Sequence, residues 1–126
     1  MIVVTTDSIP GYRVEAVLGE VLGLAVRSAN WGDNIGTPFR GLTLDEMPDL
    51  TNHRYQHRLE VLARLRSEAQ RVGGNAVVGI KFDAIATHTG LSELSVVGTA
   101  VVVSPIPAGE PGATPQSEAA AAQVKR

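Results

Sequence analysis

Cysteine is absent from the 126-residue chain. With it go disulfide staples, a thiolate nucleophile, Zn–Cys sites and iron–sulfur clusters. Aromatic residues are scarce, at 4% of the chain, so a core has to be made from Val, Leu, Ile and Ala. Cores rich in β-branched residues suit sheets. There is no basic excess either: the formal net charge is −2, and a nucleic-acid footprint is not expected. Nor is there a long apolar run. Met1-Ile2-Val3-Val4 carries no basic residues and meets Asp7 almost at once, so it reads as neither a signal peptide nor a membrane span. A cytoplasmic protein with no membrane partner is the expectation.

Hydrophobic residues make up 44% of the chain and charged residues 19%, a globular balance in a length that suits one domain. Beyond Val103 the composition changes. Pro105, Pro107, Pro111 and Pro115 interrupt a run of Ala, Gly, Ser and Glu. Prolines remove backbone donors, and the stretch offers little to bury. Its Ala-rich Ser117–Gln123 segment is too short to hold a helix alone. We therefore expect a folded α+β domain over residues 1–104 and a flexible Pro/Ala-rich tail over 105–126.

Four segments have strand character. Tyr12, Val14, Ala16 and Leu18 alternate with Arg13 and Glu15, and Gly19 separates them from an apolar run, Val21 to Val26. Ala76, Val78, Ile80 and Phe82 alternate with Gly79, Lys81 and Asp83. Leu94, Val96, Gly98, Ala100 and Val102 define one apolar face, with Glu93, Ser95, Val97, Thr99 and Val101 on the other. Val21, Val97 and Val101 are expected on the outer side of the sheet. One helix cannot cover both faces, so a second copy of the chain is the economical cover.

The helix is expected from about Leu50 to Val72, capped by Asp49 or Thr51 and stopped at Gly73 or Gly74. Tyr55, Leu59, Leu62, Leu65, Ala69 and Val72 form its predicted buried stripe. Arg58 projects into the middle of that stripe and needs a partner. The Gly- and Pro-rich segment from Ser28 to Asp49 is longer than an ordinary connector.

Several blocks together resemble the YbjQ-like family, the UPF0145 group, which carries a heavy-metal-binding label. They are Thr5-Thr6-Asp7 with Gly11-Tyr12; Val17-Leu18-Gly19-Glu20-Val21-Leu22-Gly23; Arg27 and Asn30; Arg58; Gly74-Asn75-Ala76-Val77-Val78-Gly79 with Phe82-Asp83; and Glu93 with Gly98-Thr99-Ala100-Val101. The resemblance implies a small α+β subunit, an antiparallel sheet of β-α-β-β type on one long helix (dodecin subunit-like). It also implies assembly with itself as a pentameric ring, a homopentamer or a homodecamer built from two pentamers. The chain departs from the family pattern between Gly36 and Thr51, where a paired glycine usually precedes the helix.

Three groups of residues are candidates for a site. His53 and His57, four apart on a helix, have the spacing that can place two imidazoles on one metal, and Glu60 could complete the set. All three fall on the polar side of the helix, where Arg64 opposes a cation. Two histidines on a solvated face also need no metal to explain them. Arg58 with Asp83 or Glu93 could line a ligand pocket at a subunit boundary or, more simply, form a salt bridge that sets register. Arg27, Asn30 and Trp31 form the third group, with Trp31 read as an interface anchor.

Gly73-Gly74-Asn75 follows a helix rather than preceding one, so it is a cap and turn rather than a phosphate loop. No Ser/His/Asp arrangement declares itself, and His88 falls in the expected hairpin between the last two strands. The expected function is a non-enzymatic, ring-forming binding or scaffolding protein without an intrinsic cofactor. Metal binding or sequestration through the helix histidines is the alternative.

Overall fold

The computed structural model describes residues 1–28, 47–86 and 90–124. Among these residues, valine-rich segments form four strands: β1 (Ile2–Val3), β2 (Tyr12–Ser28), β3 (Ala76–Ala86) and β4 (Leu91–Pro105). They lie in the order β1-β3-β4-β2. β4 pairs antiparallel with β2 and with β3, whereas β1 pairs parallel with β3 through Ile2–Ala76 and Val3–Val77. The sheet is therefore mixed, where an antiparallel one was expected. The residues read as two strands around Gly19 are one strand of 17 residues.

β2 stays continuous because it absorbs two register shifts against β4, between Val14 and Ala16 and between Val17 and Gly19. Each shift inserts an extra residue and re-aims the side chains that follow. The result reverses one expectation. Val21 faces inward with Ala25, in the cluster that also holds Val61, Leu65, Ala69, Val77, Val96 and Ala100. A third irregularity, between Val78 and Lys81, sits at Gly79. There the amides of Gly79 and Ile80 turn to donate to the carbonyls of Thr6 and Val4. Val78 consequently faces one side of the sheet and Ile80 the other.

The inner side is covered by α1 (Met47–Arg71). Its buried residues are Val61, Leu65 and Ala69, with Leu62 partly buried. Fully burying each large apolar side chain stabilises the fold by about 2 kcal/mol. Tyr55, expected in the buried stripe, is 62% exposed, and Leu59 and Val72 are exposed too. The stripe is rotated toward Val61 because α1 rests directly on the backbone of β2. A Cβ on Gly23 would lie 2.3 Å from the Val61 carbonyl oxygen, so this approach is open to glycine alone.

At the C-terminus of α1 the amide of Gly74 donates to the Ala69 carbonyl and that of Gly73 to the Gln70 carbonyl. With Gly73 at φ 91°, this is a Schellman cap. The cap and turn read from the sequence are as expected. Asn75 then acts as a surrogate strand residue. Its side-chain amide donates to the Val103 carbonyl and its Oδ1 accepts from the Val103 amide, at 2.8 and 2.7 Å.

The outer side is covered at one end by the N-terminal segment. Ile2, Val4, Ile9 and Tyr12 pack on Ala76, Val78, Val101 and Val103. Val101 is thus covered from within the chain, where a second copy was expected. Residues 105–124 also depart from expectation. They dock against the domain and end in a second helix, α2 (Pro115–Val124), that rests on β4. The physical reason is a set of polar contacts that composition hides. Thr114 and Ser117 exchange amide and hydroxyl hydrogen bonds, a capping box with serine in the distal position. The Ser117 hydroxyl also donates to the Ile106 carbonyl.

Candidate functional site

Two of the expected residues, Arg27 and Glu60, are drawn together along one flank of the molecule, though not as a metal site. β2 carries Arg27 near its C-terminal end, and α1 presents Glu60 and, one turn on, Arg64. Arg27 donates to the Glu60 carboxylate. Arg64 donates to the same carboxylate at 3.0 Å and to the Leu24 carbonyl of β2. The hydrogen bond from Arg27 holds the Glu60 carboxyl below its ordinary range against the opposing effect of burial, and the charges of Arg27, Arg64 and His57 add to it.

Below this network an open groove of about 730 Å³ runs between α1 and β2, lined by Leu22, Leu24, Ala63, Arg64, Ser67 and Val72 among others. Its chemistry is that of a contact surface, with an apolar floor and a rim of paired charges. Ser67 contributes a hydroxyl, but the lining holds no histidine to activate it.

His53 is exposed, and His57 is half-buried, with its Nε2 shielded and without a hydrogen-bond partner among the described residues. Glu60, the third member of the expected metal set, is held by two guanidinium groups. A cation there would have to displace both. No group of three His, Cys, Asp or Glu side chains able to hold a metal occurs among the described residues. The described residues do not fit a heavy-metal centre, and the chain has no soft thiolate ligand.

Arg58 does not pair with Asp83 or Glu93. Its guanidinium stands over the Phe82 ring, 4.8 Å from the centroid. The period of a strand explains this. Phe82 packs against the inner cluster, so Asp83, its neighbour, points to the opposite face. Glu93 likewise precedes Leu94, which is in the inner cluster. Both carboxylates lie across the sheet from the helix. Asn30, Trp31 and His88 lie outside the described residues.

The Arg27–Glu60 bridge escaped sequence reasoning because its partners are 33 residues apart. Only the Glu60–Arg64 spacing of four gave a local signal. Asn75 was legible as part of a turn, but its strand-like bonding was not.

A single long helix on a mixed sheet, with an ion-paired groove along one flank, defines a small α+β protein of the helix-on-sheet class. Comparison with known proteins narrows the class. Residues 1–104 match the YbjQ_1 family model, described as "Putative heavy-metal-binding". A UPF0145 protein of Mycobacteroides abscessus is 43% identical over 107 residues, 84% of this chain and 99% of that protein. A UPF0145 protein of Streptomyces coelicolor is 41% identical over 104 residues, 82% of this chain and 98% of that one. A solved structure from Pediococcus pentosaceus, a protein of unknown function assigned to the DUF74 family, has a TM-score of 0.48 at 14% identity, covering 82% and 97% of the two chains. The chain belongs to the YbjQ-like, UPF0145 family.

Proposed function

We propose that this chain is a non-enzymatic binding or scaffolding protein that works as a closed ring of identical copies, a pentamer or a pair of pentamers. One observation carries the reading: β2, at the end of the sheet, is a 17-residue edge strand rich in exposed apolar side chains. Val17 is 68% and Val26 58% exposed, and Val14, Leu18, Leu22 and Leu24 are exposed as well. A long apolar edge is a template for pairing with another chain. A second and different apolar surface, Tyr55 and Leu59 on α1, is also exposed. Two unlike surfaces favour head-to-tail contacts, which close into rings when the rotation permits.

No observation favours the metal reading over this one, because Glu60 is engaged by Arg27 and Arg64. Native mass spectrometry of metal-free protein, repeated after titration with Zn²⁺, Cu²⁺ and Ni²⁺, tests both. The expected result is a closed oligomer with no stoichiometric metal. A monomer at micromolar concentration would remove the ring. One metal per subunit, lost in a His53→Ala/His57→Ala variant, would replace the scaffold with a metal protein.

A further inference from the structure

The strongest feature outside that flank is the docked C-terminal segment. The family model ends at residue 104, so the segment lies beyond the part of the chain that defines the family. Its attachment is specific but thin. Of the α2 side chains only Ser117 and Ala121 are buried, so the apolar burial that fixes most helices is small here.

What holds α2 in place is one hydroxyl with two duties. Ser117 Oγ accepts from the Thr114 amide at 2.9 Å, closing the helix cap, and donates to the Ile106 carbonyl at 2.8 Å, fastening the helix to the end of β4. The seat is the turn at Gly11. A Cβ there would lie 2.5 Å from Thr114 Oγ1 and 2.9 Å from Ser117 Cβ, and its φ is +88°. The Ile106 amide donates to the Gly11 carbonyl at 2.8 Å, and Glu110 pairs with Arg13 at the start of β2. Losing the seat removes the Ser117 bond that anchors α2, and a ten-residue helix is marginal by itself. Docking and helix formation are therefore coupled.

We propose that residues 107–124 are a latch. They undock and lose their helix as one unit while the sheet stays folded, uncovering the Gly11 turn and the chain at Ile106. The open form presents Gly11, Arg13 and Ile106 as a seat for a small-faced helix, filled here by the chain's own segment.

Amide hydrogen exchange on the full-length chain tests this. In the unaltered protein, the amides of residues 118–124 should exchange about a hundredfold faster than those of Val96–Val101, the signature of a separate low-stability unit. Ala121→Glu places a charge at a buried contact of the docked segment. It should abolish protection across α2 and speed exchange at Ile106 about tenfold, leaving Val96–Val101 unchanged. Ser117→Ala should do the same by removing the anchor to Ile106 together with one half of the capping box. Exchange of α2 and β4 at one common rate in the unaltered protein would overturn the latch. So would loss of sheet protection in Ala121→Glu, or retained α2 protection in Ser117→Ala.

Discussion

The two edges of the sheet are finished in opposite ways. At one end β1 is two residues long, and the segment after it folds across the outer face so that Val4 and Ile9 are used inside the chain. At the other end β2 runs for 17 residues with valines and leucines exposed. A short, self-covered edge offers a neighbouring chain little to pair with, whereas a long apolar one invites it. The same sheet thus carries one edge that the chain covers for itself and one that stays exposed.

The sharpest way to break the comparison is to make the open edge resemble a protected one. Val17→Lys with Leu22→Lys puts charges on exposed positions of β2, a device that natural edges use against pairing. The proposed ring is expected to collapse to single subunits by native mass spectrometry, with the circular dichroism of the fold retained. An oligomer of unchanged mass would assign the contact elsewhere.

A second substitution separates the edge from its support. Gly23→Val would drive a side chain into the Val61 carbonyl and push α1 off β2. The expected loss is about 3 kcal/mol in denaturant unfolding. A loss below about 1 kcal/mol would mean that α1 does not depend on this approach.

The smallest effect is electrostatic. Glu60 titrates below its ordinary range in the folded state because Arg27 donates to it. A group with a depressed folded pKa stabilises fully above its unfolded pKa, and the contribution is lost as pH falls through the folded value. Glu60→Gln should therefore lower the melting temperature slightly at pH 7, and the difference from the unaltered protein should close under acid conditions. A difference that persists after acidification would point to packing rather than charge.

The sequence made some of this legible. The long helix, its glycine cap and the strands at β3 and β4 followed from period and punctuation, and the family followed from blocks spread over residues 3–103. The sheet's handling of faces did not. Strict alternation put Val21 outside, and Asp83 was paired with Arg58 although the same alternation sets it opposite Phe82; both readings failed for physical reasons. Val21 lies beyond the register shifts of β2, while Asp83 lies on the strand face opposite Phe82. The metal set of His53, His57 and Glu60 had correct helical spacing, but spacing could not show that Arg27 would arrive from another element to claim the carboxylate. The docked tail was missed because composition counts prolines and alanines, whereas Thr114 and Ser117 act through hydrogen bonds that only folding creates.

The parallel pairing of β1 with β3 sets an order of events during synthesis. Ile2 and Val3 are made more than seventy residues before their partners, Ala76 and Val77, and Val101 and Val103, which close the same cluster, come later still. Contacts that span so much chain pay their loop-closure entropy before any packing repays it, and they form slowly. The nascent chain must therefore carry Ile2 and Val4 without these partners until β3 and β4 have been made. The second half of the core is sealed only when β4 has left the ribosome.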